Sequence, residues 1–206
     1  MATKADSKRL GYVGSSVIRA AGAVENDDWY TPPELLTIIR ERILGGIDLD
    51  PFSSDIANQS VRAGQYLTAD DDALHCEWPK ATRKVNRVFM NPPYSRNLCS
   101  AAISRLLKEY KSGNVTDAVA LVNNMSDTRW FRQLAEASSR YSFFTGRIGF
   151  VNAAGQAVSG NTRGQTLFLL SKSRPIMSRF TKQVGLLGHL CVTNINNGDK
   201  IIRGKN

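Results

Sequence analysis

Long apolar runs are missing from this chain of 206 residues: nothing approaches the roughly 18 to 20 consecutive apolar residues of a membrane span. The N-terminus also lacks the apolar core of a secretory signal, so a soluble, cytoplasmic protein with no membrane partner is expected. Cysteine is scarce. Cys76, Cys99 and Cys191 are odd in number, widely spaced and contain no CxxC pair, which argues against a disulfide framework and for reduced thiols. His75-Cys76 and His189-x-Cys191 lack the spacing of a zinc finger, and no metal site is expected. Acid is the minority charge. Asp and Glu number 18 against 27 Lys and Arg, a formal net charge of +9, which favours a polyanionic partner because phosphate neutralisation dominates sequence-independent nucleic-acid affinity. No internal repeat is visible.

The length suits one domain with a sizeable core rather than two. Residues 1–26 are small, polar and mildly basic without a sustained period and read as a flexible basic arm. The ordered domain is expected over 27–172. A basic C-terminal extension over 173–206 carries Lys172, Arg174, Arg179, Lys182, Lys200, Arg203 and Lys205 at or within its border, against the single acid Asp199.

Order is expected to begin at Trp29-Tyr30-Thr31-Pro32-Pro33-Glu34, with Thr31 as N-cap, Pro32 as first helical residue and Glu34 completing a capping box. Leu35, Ile38, Ile39 and Ile43 continue at helical spacing until Gly45-Gly46. Short strands follow at Ile47–Asp50 and Gln65–Thr68, with a helix over 57–62 between them and the acidic turn Asp70-Asp71-Asp72 after them. Val88-Phe89-Met90 reads as a strand, Ser95 as the cap of a helix with Leu98, Ala101, Ala102, Leu106 and Tyr110 on its apolar face, and Ala118–Val122 as a buried parallel strand. A helix with Trp130, Phe131 and Leu134 follows. Tyr141–Phe144, Gly146–Val151 and Thr166–Leu170 then read as strands without intervening helices, an antiparallel C-terminal edge on a mostly parallel α/β sheet.

Asn91-Pro92-Pro93-Tyr94, directly after the strand Val88–Met90, places amide and carbonyl acceptors beside an aromatic ring. The Asn91 side-chain oxygen and the Pro92 carbonyl can each accept one hydrogen of a planar amine, while fixed proline φ angles stiffen the turn and Tyr94 can stack on the attached ring. A Pro-Pro turn closing a buried strand is the structural alternative. In an open α/β sheet ligands sit outside the carboxyl ends of the strands, so Asp50, the turn at Asp72 and Asn91 would share one rim.

Four ordered segments, Trp29–Glu34, Leu49–Asn58, Asp72–Trp78 and Asn91–Ser95, resemble the phage and prophage DNA N6-adenine methyltransferase (Dam) family, the likeness spanning about residues 27–170. The resemblance implies a Rossmann-like methyltransferase fold with helices on both faces of the sheet, and S-adenosylmethionine as cofactor. It implies that Thr31, with Trp29, Tyr30 and Pro32, holds the methionine end of that cofactor, that Asp50 with Pro51 faces its ammonium, and that Asp72, Ala73 and Leu74 receive its adenine; Asp48 and Asn58 are weaker candidates for the same pocket. Each has a structural alternative: a helix cap at Thr31, a strand end at Asp50, a solvated loop at Asp70–Asp72. The ribose-binding acid is left between Asp70 and Asp71. No glycine-rich loop follows Asp50, where Phe52-Ser53-Ser54 stand.

The expected reaction is direct methyl transfer to adenine N6 in double-stranded DNA, catalysed through Asn91, Pro92, Pro93 and Tyr94 on a base flipped out of the duplex, with no obligate protein partner. The missing Pro-Cys dipeptide agrees, since attack at a ring carbon needs a thiolate. Trp130 and Phe150 are either further stacking residues or core. Ser95, Arg96 and Asn97 are placed to meet the nucleotide backbone, and the Asn152–Gln165 connection, with Arg163, to read bases or simply to close the surface. Cytosine N4, adenine in RNA and a glutamine amide are alternative acceptors. An inactive nucleic-acid- or protein-binding module on the same scaffold is the alternative of another class.

Overall fold

Apolar residues alternate between two faces of the longest strands, and this alternation organises the molecule. The computed structural model describes residues 29–79, 86–94, 98–152, 154–158 and 161–193; the arm over 1–26, Ser95 to Asn97 and the tail beyond Thr193 lie outside the described residues. In β4 (Asp117–Asn123), Val119 and Leu121 point to one face while Ala118, Ala120 and Val122 point to the other. In β6 (Gln165–Ser171), Leu167 and Leu169 oppose Phe168 and Leu170, and in β3 (Arg87–Met90), Phe89 opposes Val88 and Met90. Strands that bury both sides must be covered twice.

The covers come from α1 (Pro33–Thr37) with the π-helical segment that continues it (Ile38–Leu44), α2 (Asp55–Val61) and α5 (Arg174–Val184) on one face. The other face carries α3 (Leu98–Ser112) and α4 (Arg129–Ala137). The remaining strands are β1 (Leu49–Asp50), β2 (Gln65–Tyr66), β5 (Arg140–Phe144) and β7 (Gly188–Val192), and the seven-stranded sheet runs β2-β1-β3-β4-β6-β5-β7. From β2 to β4 all pairings are parallel; β6 is antiparallel to both β4 and β5, and β7 to β5. This is the expected mixed α/β, Rossmann-like methyltransferase fold, with a parallel core and an antiparallel C-terminal side.

Several local expectations are corrected. The first helix begins at Pro33, with Pro32 as its N-cap and no side-chain cap, so Thr31 lies one residue outside. The helix widens after Thr37 into π geometry, Gly45 and Gly46 both donating to the Arg40 carbonyl before Gly45 turns left-handed at φ 74°. On α3 the buried stripe is Cys99, Ala102, Ile103, Leu106 and Leu107, with Leu98 and Ala101 outward. That rotation follows from Arg105 and Glu109, an ion pair at 2.8 Å drawn inward by the backbone carbonyls of Leu74 and Cys76.

Gly146–Val151 is not a strand. It contributes isolated bridges rather than a ladder, Val151 pairing with Tyr30 and Ala157, while the Gln165 side chain accepts from the Ile148 N–H and Asn161 donates to the Ile148 carbonyl. The segment from Ser173 onward was expected to lie beyond the domain. In its described part it instead supplies α5, which buries Ile176, Phe180 and Val184, and the edge strand β7. Of the basic residues that marked it, Arg174, Arg179 and Lys182 stand exposed on the outer side of this amphipathic helix.

Candidate active site

The parallel strands β1, β2, β3 and β4 end on the same rim, and the segments that leave them enclose one cleft of about 650 Å³. Its lining draws on Trp29, Tyr30 and Thr31 before α1, on Asp50 to Ser54 after β1, on Asp72, Ala73 and Leu74, on Asn91 to Tyr94 after β3, and on Asn123 at the end of β4. Phe150 and the stretch Asn161 to Arg163 close the far side. Residues separated by up to 134 positions therefore share one concave surface.

Asn91 leaves β3 half-buried, and its Nδ2 donates to Thr31 Oγ1 at 3.4 Å. The Tyr94 hydroxyl lies 3.4 Å from Asn91 Oδ1 and donates to the Leu121 carbonyl at 3.2 Å. The amide oxygen of Asn91 thus faces the phenol side of the cleft. Burial pushes the Tyr94 phenol well above its ordinary range, so the ring acts as a neutral aromatic wall. Burial likewise pushes the Cys99 thiol up to about 12, which leaves that neighbouring sulfur without nucleophilic character.

Asp50 ends β1 only 3% exposed, and burial raises its carboxyl to about 7; the nearby Ser53 hydroxyl and the Phe52 N–H, 3.3 Å from Oδ1, pull it partly back. The Ser53 hydroxyl is buried and no hydrogen bond of normal geometry satisfies it. A buried carboxyl beside a buried hydroxyl is a place for a cationic hydrogen-bond donor. In place of a glycine-rich loop, Ser53 N–H donates to the Leu67 carbonyl and Ser54 Oγ caps α2 by accepting from Ala57 N–H.

The acidic turn is a 3₁₀ segment (Ala69–Asp71) followed by Asp72 in the left-handed region at φ 48°. Asp71 is spent on a capping box with Thr68, which holds its carboxyl below the usual range. Asp72 pairs with His75 at 2.8 Å on the surface. Beneath the turn, Arg105 donates to the Leu74 carbonyl at 2.8 Å and the Cys76 carbonyl at 2.7 Å, its guanidinium lies over Trp78 at 5.4 Å, and Trp78 Nε1 donates to the Ala73 carbonyl at 2.7 Å. The helix that follows Asn91–Tyr94 therefore holds the turn that carries Ala73 and Leu74.

Three expected residues fall away from the cleft lining. Asp48 sits at the opposite end of the sheet, its carboxylate accepting from Arg87 N–H at 2.8 Å. Asn58 is spent at the end of α2, accepting from Ala63 N–H at 2.8 Å. Pro32 is buried and its carbonyl accepts from Leu36 N–H. Trp130 packs in the core beside Phe131, whereas Phe150 both lines the cleft and stacks obliquely on Trp29 at 5.8 Å. Within the Asn152–Gln165 connection, Gln165 is fully buried and Asn152 is occupied by Ala154 and Gln156, so neither is presented to a base, while Arg163 is exposed at the lip of the cleft. Ser95, Arg96 and Asn97 lie outside the described residues.

Ser53, Asn123 and the Arg105–Glu109 pair were not anticipated. A polar residue ending a buried strand and an Arg-x-x-x-Glu spacing inside an apolar helix stripe were the signals available for the last two.

The family model described as DNA N-6-adenine-methyltransferase (Dam) matches residues 20–186. No curated protein matches the chain.

Proposed function

Because this chain belongs to the DNA N-6-adenine-methyltransferase (Dam) family, we propose that it transfers a methyl group from S-adenosylmethionine to N6 of an adenine flipped out of double-stranded DNA. The observation that carries this reading is the single cleft in which Thr31, Asp50, Asp72 to Leu74 and Asn91 to Tyr94 meet.

The residues present fit the cofactor. Asp50 and Ser53 offer a buried carboxyl and a buried hydroxyl to an ammonium, Ala73 and Leu74 an apolar ledge to an adenine ring, and Asp72 an acceptor for its amino group. When bound, S-adenosylmethionine supplies a methyl group on a positively charged sulfur, open to displacement by a nitrogen lone pair.

The chain's own work is on that nitrogen. An exocyclic amine conjugated to a purine is a poor nucleophile, and its lone pair becomes available as its two hydrogens are drawn to acceptors. Asn91 Oδ1 and the Pro92 carbonyl would accept hydrogen bonds from those hydrogens, Thr31 steadies the Asn91 amide through its NH₂ group, and Tyr94 provides a wall for the ring; as the N–C bond forms the sulfur–methyl bond breaks, and one N6 proton leaves to water. A base cannot reach this corner while stacked in a duplex, so it must leave the helix. Arg163 at the lip meets the DNA, in keeping with the net charge of +9.

Incubating unmethylated DNA with the protein and labelled S-adenosylmethionine, then analysing nucleosides by mass spectrometry, tests the reading. N6-methyladenine is expected, and its loss in Asn91→Ala. N4-methylcytosine, or no labelled nucleoside, would overturn it.

A further inference from the structure

We infer that Asn123 is a specificity-determining residue for the target base, its side-chain NH₂ held toward the cleft by a buried amide relay so that it donates to a ring nitrogen beside the amine being methylated. The inference rests on the adenine-methylation reading of the cleft.

Asn123 ends β4, the strand paired with β3, and both strand ends line the cleft. Its backbone N–H hydrogen-bonds the Tyr94 phenol, which also reaches Asn91 Oδ1 at 3.4 Å, so Asn123 stands beside the catalytic corner.

The two ends of a carboxamide look alike, and orientation must be read from the partners. Here backbone groups, whose roles are unambiguous, settle it. Asn161 donates from Nδ2 to the Ile148 carbonyl at 2.8 Å and accepts at Oδ1 from Arg163 N–H at 3.2 Å. Gln165 accepts at Oε1 from Ile148 N–H at 3.5 Å and from Asn161 Nδ2 at 3.2 Å, which leaves its Nε2 to donate to Asn161 Oδ1 at 3.2 Å and to Asn123 Oδ1 at 3.0 Å. Gln165 is fully buried, and this arrangement uses both its hydrogens and its oxygen. The oxygen of Asn123 is therefore turned toward Gln165, and its NH₂ is turned the other way, toward the cleft that Asn123 lines.

A donor in that place has a chemical complement. An adenine whose two N6 hydrogens are taken by acceptors presents N1 and N7, both acceptors, on either side of the amine. Guanine presents N1–H in place of the N1 acceptor and a carbonyl in place of the amine, so an NH₂ facing its N1 would be left opposed to another donor; cytosine keeps an acceptor, N3, on one side of its amine but only C5–H on the other, so the donor rejects cytosine when it faces the N7 side. Unpaired buried polar groups are the strongest basis for rejecting a near-isosteric substrate.

The test measures N6 methylation of duplexes carrying adenine, 1-deazaadenine or 7-deazaadenine at the target position, by wild-type protein, Asn123→Ala and Asn123→Asp. The aspartate variant keeps the shape and the acceptor for Gln165 while deleting the donor, and thermal melts verify that each variant folds. Wild type is expected to lose on the order of 10- to 100-fold on one of the two analogues. Both variants are expected to lose a similar factor on adenine and nothing further on that analogue. The inference is overturned if wild type tolerates both analogues, or if the variants keep the wild-type penalty. Wild type that methylates adenine while the variants keep that penalty would sink this inference alone; wild type that forms no N6-methyladenine would sink the underlying reading with it.

Discussion

Asn91 and Thr31, 60 positions apart in the chain, are joined by a hydrogen bond from Asn91 Nδ2 to Thr31 Oγ1 at 3.4 Å. The contact ties the segment before α1 to the corner after β3, and it turns the Asn91 oxygen toward Tyr94 and the cleft. Asn91→Ala is expected to lower single-turnover methylation by on the order of 10²-fold or more, as removal of a preorganised polar group does. Thr31→Val should lower it less, by about 10-fold, because the acceptor remains but is no longer steadied. Rapid-quench measurement at saturating cofactor checks both, and equal effects would show that Thr31 does more than orient Asn91.

Asp50 supplies a pH dependence. Its folded-state pKa of about 7 lies above its ordinary value of 3.8, so between these pH values the folded protein holds a proton that the unfolded chain has released. The associated stability is fully present below about pH 4 and is lost as pH rises through about 7, up to about 4 kcal/mol in the ligand-free protein. Asp50→Asn, uncharged at every pH, should melt higher than wild type at pH 8 and the two should converge near pH 4. Cofactor binding runs the other way, since an ammonium needs the carboxylate: calorimetric affinity should rise between pH 6 and 8 in wild type and stay flat in the variant.

Arg105 links stability to the turn that is proposed to receive the cofactor adenine. Removing it would leave Glu109, buried on α3, without its charge partner, and would free the Leu74 and Cys76 carbonyls. Arg105→Ala is expected to cost on the order of 3–5 kcal/mol in urea denaturation. Arg105→Lys keeps the charge but cannot span both carbonyls with one planar fork, so it should fold with a smaller loss and bind cofactor less tightly at nearly unchanged kcat. A parallel fall in kcat would contradict a role confined to the turn.

Arg163 stands at the lip of the cleft, its backbone N–H anchored on Asn161 and its side chain exposed. Arg163→Ala is expected to relax sequence preference at one position, at a cost of about 1–3 kcal/mol on the preferred site. Methylation of a randomised-site library, read by modified-base sequencing, checks this. A uniform loss across all sites with a smaller salt dependence would reassign Arg163 to a phosphate.

What the amino-acid order determined by itself is what depends on near neighbours. Alternation at Val119 and Leu121 against Ala118, Ala120 and Val122 specifies a strand buried on both faces, Gly45-Gly46 specifies a helix end, and Asn91-Pro92-Pro93-Tyr94 after a strand specifies an acceptor-bearing corner. Tertiary structure alone decided the rest, because desolvation and hydrogen-bond orientation are set by atoms far away in the chain. Asp50 reaches about 7 only because the sheet closes over it, and Asp48, two residues earlier, is spent instead on Arg87 at the far end of the strands. Gln165 and Asn161 read as base-contacting polar residues until Ile148 consumes them, and that same relay orients Asn123, whose position in the sequence marks it only as the end of a strand.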